Sequence, residues 1–455
     1  MDHAGVIREL MNAVARACDP AALVSAAVEG RRGPIRGVAV GKAAAGMVAG
    51  VRRALGPHGW RGPVIVPDGA PDVAVPTDTA PVIVAGHPLP DGASLRAGRA
   101  AGAAFDDPPT DGTGLVLLLS GGASSLMADP FAGVTLEDYR AVVSAMLRSG
   151  ATIHQLNAVR KHLDRVKGGR LAARAHAARP DASIEVLVIS DVPGDDLSVI
   201  GSGPCAPDPT TRDDAVEVLR RCDGEGALDV ALERVRSAVD SPERETPKAG
   251  DPCFQRVTHA VLASNGSAVA AAADFLRSRG FAVAAARRDV QGAAAEAGRA
   301  LARAAWGLAP SGRPTAIVWG GETTVDVRGT LAPGFGGRNQ ELALAAALEL
   351  EWLAEQPGQG APWPGRITVA SFGTDGVDGV APQGARPPAG ALVHAGTRRG
   401  ALAAGLAPAA SLAAHDSFGF FAALAERLPE AGGPIVTGPT GTNINDISVA
   451  LVEPA

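Results

Sequence analysis

The segment Leu115-Val116-Leu117-Leu118-Leu119-Ser120-Gly121-Gly122-Ala123-Ser124-Ser125 decides the fold: five apolar residues in unbroken succession stop at a turn of small residues, and a helical pattern follows. An unbroken apolar run of this length suits a strand covered on both faces. The same grammar recurs along the chain. Val186 to Ile189 runs into Ser190-Asp191-Val192-Pro193-Gly194-Asp195-Asp196, Ala316 to Trp319 into Gly320-Gly321-Glu322-Thr323-Thr324, and Ile367 to Phe372 into Gly373-Thr374-Asp375-Gly376-Val377-Asp378-Gly379. Shorter cases are Gly37 to Val40 before Gly41-Lys42, Val82 to Ala85 before Gly86-His87, and Val261 to Ala263 before Ser264-Asn265-Gly266-Ser267. Ala and Leu at helical spacing predict helices over 136–149, 268–279, 293–306 and 340–353. Strands alternating with helices predict an α/β fold with mainly parallel sheets flanked by helices, and ligands beyond the carboxyl ends of the strands.

At 455 residues the chain exceeds one ordinary core, so two α/β domains are expected. The stretch from Asp240 to Pro252 has no apolar periodicity and reads as an exposed linker, which sets domains at 1–240 and 255–455. Hydrophobic residues at 46% and charged residues at 20% fit a packed globular protein, and aromatics at only 4% leave Ala, Val and Leu to build the core. A net charge of −6 gives no electrostatic draw toward nucleic acid or an anionic membrane. No uncharged apolar run of about 20 residues is present. The four cysteines show no metal spacing and read as reduced thiols. Residues 1–30 read as an amphipathic helix without the apolar core of a signal peptide. The expectation is a cytoplasmic enzyme with neither nucleic acid nor membrane as partner; a homodimer is compatible with the sequence and not specified by it.

The residues able to do chemistry gather in the strand-end loops. Ser120, Gly121, Gly122 and Ser124 could cradle an anion on backbone N–H groups, or simply make a tight strand-to-helix turn. Lys42, after one strand, could set a point charge on a phosphate or stay solvated. Arg338, in Gly336-Gly337-Arg338-Asn339-Gln340-Glu341, could clamp an anion or pair with Glu341. Asp191 and Asp195 share one loop, Asp375 and Asp378 another, and Glu322 lies in a third; Asp is also an ordinary turn residue. Mg²⁺ takes one or two carboxylates plus phosphate oxygens, which makes Asp191, Asp195, Glu322 and Asp375 the candidate metal ligands. An Asp beside a hydroxyl could instead be a general base. Asn157, Arg160, Lys161, His162 and Lys167, ending in Lys167-Gly168-Gly169-Arg170, suit either a solvated helix face or an anion or carboxylate site. Asn265 joins the binding candidates from its own strand-end loop. No Walker-type G-x-x-x-x-G-K-[ST] motif and no G-x-G-x-x-G dinucleotide unit is found.

With these motifs quoted, the chain resembles the D-glycerate 2-kinases whose C-terminal domain is called MOFRL. Further segments carry the resemblance: His87-Pro88-Leu89-Pro90-Asp91-Gly92, Leu156-Asn157-Ala158-Val159-Arg160-Lys161-His162, Gly201-Ser202-Gly203-Pro204 and Thr437-Gly438-Pro439-Thr440-Gly441-Thr442-Asn443. The resemblance implies an active site in the cleft between two α/β domains, ATP and a divalent metal. It also implies Lys42 and Arg338 as catalytic cations, with Asp191, Glu322 and Asp375 lining the site. Asp191 is taken as the third catalytic residue. The chain departs from the family pattern at 380–390, where Pro387-Pro388-Ala389-Gly390 lacks an acidic position. The expected reaction is therefore phosphorylation of D-glycerate at its 2-hydroxyl, with a different small hydroxy or sugar acid, or reduction of hydroxypyruvate, as alternatives.

Overall fold

The computed structural model describes residues 2–70, 80–222, 229–308, 312–327, 330, 332–356 and 366–454. The chain forms two compact units, Asp19–Leu262 and a second made of Met1–Cys18 with Ala263–Ala455.

The Asp19–Leu262 unit is built on strands β1 (Ile35–Val40), β2 (Trp60–Arg61), β3 (Val64–Pro67), β4 (Val82–Ala85), β5 (Leu115–Ser120), β6 (Ile184–Ile189) and β7 (Val257–Ala263). They lie in the order β4-β3-β1-β5-β6-β7, with β2 beside β1. The pairs β1–β2, β1–β3, β3–β4, β1–β5 and β5–β6 are all parallel. Every residue of β5 is buried, which is what its unbroken apolar run requires of a central strand covered on both faces. Ala97, Ala101 and Phe105 of one helix and Leu171, Ala172 and Ala175 of another share a core with Leu115, Leu117, Leu119, Val186 and Val188. Parallel register brings the ends of β1, β5 and β6 to one edge, with Val40 opposite Leu119 and Ser120 opposite Ile189. A separate helical core, containing Tyr139, Val142, Met146, Leu156, Val159 and Leu219, supports the helix Ile153–Leu163 that carries Asn157 and Arg160. Thr152 and Gln155 close a capping box at the start of that helix.

The boundary falls elsewhere than the linker-like composition indicated. Residues 240–252 belong to this unit, and the strand after them joins its sheet beside β6. The polar side chains that make the segment look exposed are tied down. Buried Thr246 donates to Asp208 at 3.0 Å, Lys248 donates to Thr246 at 2.7 Å, and Cys253 is buried. The 1–30 segment likewise forms two helices, His3–Ala17 and Pro20–Ala27, split at Asp19-Pro20, where Asp19 caps the second. The first helix packs in the other unit.

That second unit holds β8 (Ala282–Val290), β9 (Thr315–Gly321), β10 (Arg366–Gly373), β11 (Gly390–His394), β12 (Gly432–Ile435) and β13 (Asp446–Glu453), in the order β12-β11-β10-β13-β9-β8. Here the expectation of mainly parallel pairing is corrected. Only β8–β9 is parallel, whereas β9–β13, β10–β13, β10–β11 and β11–β12 are antiparallel. Burial on both faces writes the same apolar run for either direction, so composition could not separate them. The helix Arg338–Glu355 covers this sheet, with Leu342, Ala343, Ala346 and Leu350 in one core with Ile317, Val369 and Ala450. Because β13 runs against its neighbours, its first residue, Asp446, lies opposite Gly321 and Gly373, at the edge where β9 and β10 end.

The helix His3–Ala17 is fixed to this sheet by a buried polar chain. His3 Nδ1 lies 2.6 Å from Thr368 Oγ1, which lies 2.8 Å from His394 Nδ1, and His3 Nε2 lies 3.2 Å from a Glu453 oxygen. Burial pushes the His3 pKa down from 6.5 to about 4, against the pull of Glu453. The fold therefore holds His3 neutral, and its contribution is complete above 6.5 and lost as pH falls toward 4. Thermal melts are expected to show wild type losing more stability over that interval than His3→Gln; identical pH slopes would remove His3 as the titrating group.

Candidate active site

Each unit gathers a separate set of polar residues at its strand ends. In the Asp19–Leu262 unit the set is organised by the turn after β5. Gly122 has φ 85°, and a Cβ placed there would meet the His87 ring at 3.0 Å and the Lys42 stem at 3.7 Å. At Gly121 a Cβ would lie 2.0 Å from an Asp191 carboxylate oxygen. The two glycines thus let Lys42, His87 and Asp191, from three different strand-end loops, crowd against one backbone turn. Lys42 N–H donates to the Gly121 carbonyl at 2.9 Å, and Ala43 N–H donates to Ser120 Oγ at 3.0 Å. Ser120 therefore clasps β1 to β5. The helix after the turn, Ala123–Leu126, is a single turn, so backbone dipoles add little there. Gly121→Ala is expected to displace Asp191 and cut turnover about 100-fold while leaving the unfolding midpoint within a few degrees; full activity would show that the carboxylate's position is not used.

Ser124 extends this set. Its Oγ lies 2.7 Å from Ser202 Oγ, Ser202 donates to Asn157 Oδ1 at 2.8 Å, and Arg160 Nη1 donates to Ser124 at 3.4 Å. Burial pushes the Arg160 guanidinium below its ordinary pKa. Ser202, with φ 62°, carries no charge and ends no apolar strand run, so residue type alone does not mark it. Lys167, expected among the binding residues, has intramolecular partners. It is fully buried, donating to Asp164 and to the Met127 carbonyl, both at 2.6 Å, and it braces the fold. Asp195 turns the loop that carries Asp191, with φ 55°.

In the second unit Arg338 opens its helix and donates through Nε and Nη2 to Asp446, at 2.6 and 3.1 Å, while Nη1 lies 3.1 Å from Glu322. The alternative pairing with Glu341 is not the one formed, since Glu341 meets His415 at 2.9 Å. Burial works against the Arg338 charge, but the facing Asp446 and Glu322 carboxylates outweigh it and raise its pKa. A Cβ at Gly373 would meet Asp375 Oδ1 at 3.2 Å and Asp446 Oδ1 at 3.4 Å, so these two carboxylates flank one strand end. Asn265 does not point to a ligand through its amide nitrogen. It donates instead to the Ile444 and Asp446 carbonyls, both at 3.1 Å, fixing the start of β13. Asp378 caps the Arg338 helix, accepting from Asn339 N–H at 3.0 Å and Gln340 N–H at 2.9 Å. The departing 380–390 stretch touches this set, because Val380 and Gly336 exchange backbone hydrogen bonds of 3.0 and 2.9 Å.

Among the described residues no three His, Cys, Asp or Glu side chains form a ready-made metal cage. Mg²⁺ needs only one or two carboxylates where phosphate oxygens and water complete its shell, and Asp191, held against the glycine turn, fits that kind of site. No described helix is long and apolar enough to cross a membrane.

One unit presents a lysine, an aspartate and a glycine turn at a parallel strand edge, and the other an arginine held by carboxylates; each set suits an α/β protein that handles anions. Comparison with known proteins specifies the class. The profile described as Domain of unknown function (DUF4147) matches residues 6–237, and that of the MOFRL family matches 315–446. The D-glycerate 2-kinase of Thermotoga maritima is 36% identical over 419 residues, 91% of this chain and 90% of that protein. A protein of Agrobacterium vitis with the provisional name hydroxypyruvate reductase is 38% identical over 98% of this chain and 94% of its own. The crystal structure of a glycerate kinase from Thermotoga maritima superposes with a TM-score of 0.79 at 32% identity, covering 98% of this chain and 99% of that one. The chain belongs to the MOFRL-type D-glycerate 2-kinase family.

Proposed function

We propose that the chain transfers the γ-phosphoryl group of ATP to the 2-hydroxyl of D-glycerate. The observation that carries this reading is the convergence of Lys42, His87 and Asp191 on the Gly121-Gly122 turn, within a chain that has kinase relatives along nearly its whole length. Phosphoryl transfer asks a protein mainly to position phosphates and to neutralise the charge that shifts between oxygens. Lys42 supplies a compact cation beside the turn, and Arg338 supplies a planar one. Asp191 is placed to accept the acceptor's hydroxyl proton or to hold a metal, with Asp195, Glu322 and Asp375 as further candidate ligands. A bound Mg²⁺ would neutralise phosphate charge. Gly121, Gly122, Ser124, Asn157 and Arg160 are proposed to contact the substrates.

The test is ADP release with purified protein, Mg-ATP and D-glycerate, with the product's phosphorylated carbon read by NMR. ADP formed only with another hydroxy acid would keep the kinase and change the acceptor, as the 380–390 stretch beside the Arg338 loop makes reasonable. The relative named as a hydroxypyruvate reductase supplies the second reading. NADH oxidation by hydroxypyruvate, with no ADP release, would replace the first reading with that one.

A further inference from the structure

Among the described residues of the Asp19–Leu262 unit, the buried lysines have carboxylate partners; partly buried Arg170 donates to the Arg244 and Glu245 carbonyls, whereas Arg160 has neither kind of acceptor. Lys161 donates to Asp208 at 3.0 Å and Lys167 to Asp164 at 2.6 Å. Arg160 is 9% exposed, yet it makes no ion pair with any described residue. Its hydrogen bond to Ser124 is long, at 3.4 Å, and its Nε has no partner. The carboxylate that acts on it from a distance, Asp164, already accepts from Lys167 Nζ, Val166 N–H and Asp129 N–H. Burying a guanidinium without an anion is costly, and folds that keep one usually have an anion to bring to it.

The surroundings indicate which anion. Ser124 follows the glycine turn on which Lys42 and His87 lie. Its hydroxyl belongs to a chain through Ser202, fully buried with φ 62°, to Asn157, whose amide donates to the Val199 carbonyl at 3.4 Å. A planar, delocalised cation on a hydroxyl-lined wall suits a planar monoanion held by two parallel hydrogen bonds. One carboxylate balances one buried guanidinium, whereas a triphosphate brings more charge than this site can offset. We propose that Arg160 binds the carboxylate of the acceptor acid, with Ser124, Ser202 and Asn157 fixing the guanidinium. This assignment rests on the kinase reading and names the residue that makes the reaction specific for an acid.

Calorimetry with D-glycerate, its uncharged amide D-glyceramide, and a non-hydrolysable ATP analogue with Mg²⁺ tests it. Wild type is expected to bind D-glycerate about 100-fold or more tightly than the amide. Arg160→Met should abolish that preference and leave the ATP analogue's affinity within about threefold. Ligand-free Arg160→Met should melt no lower than wild type, because an uncompensated charge has been removed; an arginine needed only for the fold would lower the melt. Weakened nucleotide binding with the acid-to-amide ratio unchanged would overturn the assignment. Equal wild-type affinity for acid and amide would overturn it without any variant. Arg160-dependent binding of D-glycerate without ADP release would leave the carboxylate site standing and remove the kinase reading. Turnover of glycerate with no Arg160 effect would do the reverse.

Discussion

Lys42→Ala is expected to lower kcat for ADP release by about 10³-fold while the thermal melt stays superimposable on wild type. The two halves of this expectation come from different atoms. The backbone of residue 42 does the structural work, donating its N–H to Gly121 at 2.9 Å, and alanine keeps that bond. The side chain contributes charge where the turn bends, its stem passing Gly122 beside the His87 ring. Removing a preorganised group that meets charge developing in the transition state costs about 10²–10³-fold, and the ammonium counts as a full charge. Lys42→Arg is expected to recover little of the loss, because a planar fork cannot replace a compact ammonium beside the His87 ring. A variant with unchanged fold and near-normal kcat would take Lys42 out of the mechanism.

Most of what defines this first strand-end set could be read from residue order. Parallel strands buried on both faces print as apolar runs, and their shared direction brings the loops after β1, β5 and β6 to one edge. Residue order therefore puts Lys42, Gly121, Gly122 and Asp191 at the ends of strands that share one edge. The same logic failed wherever direction or pairing was silent in the sequence. Asp446 starts a strand rather than ending one, and it reaches the edge only because β13 runs antiparallel to β9 and β10. Arg160 and Lys167 lie in one basic stretch and look alike as letters. Only packing shows that Lys167 is paired with Asp164 while Arg160 is not. The segment at 240–252 has the composition of a linker because its side chains are polar, yet those side chains bond to Asp208 and Thr210 and hold it in place.

Asp446→Ala is expected to damage stability and turnover together. The Asp446 side chain is 7% exposed and takes the Nε–Nη2 edge of Arg338 in a bidentate pair, which fixes the plane of the guanidinium as well as its charge. Glu322 is 42% exposed and meets only Nη1, so it can neither hold that plane nor offset burial alone. Arg338 is 32% exposed and keeps Glu322, so losing Asp446 costs the two charge-assisted hydrogen bonds rather than a fully buried charge, about 1.5–3 kcal/mol, which for a unit of this size lowers the midpoint by roughly 5 °C. If Arg338 acts on phosphate charge, kcat should also fall about 100-fold, with a smaller change in KM, since a tilted guanidinium misses charge that develops only in the transition state. Asp446→Asn separates charge from shape: it keeps the volume and one acceptor, and should recover part of the stability and little of the rate. The double variant Asp446→Leu, Arg338→Met removes both charges and is expected to melt close to wild type while staying inactive, because a well-packed apolar pair often stabilises as well as a buried ionic one. Recovery of activity along with stability in that double variant would mean that the pair holds the fold and takes no part in the chemistry.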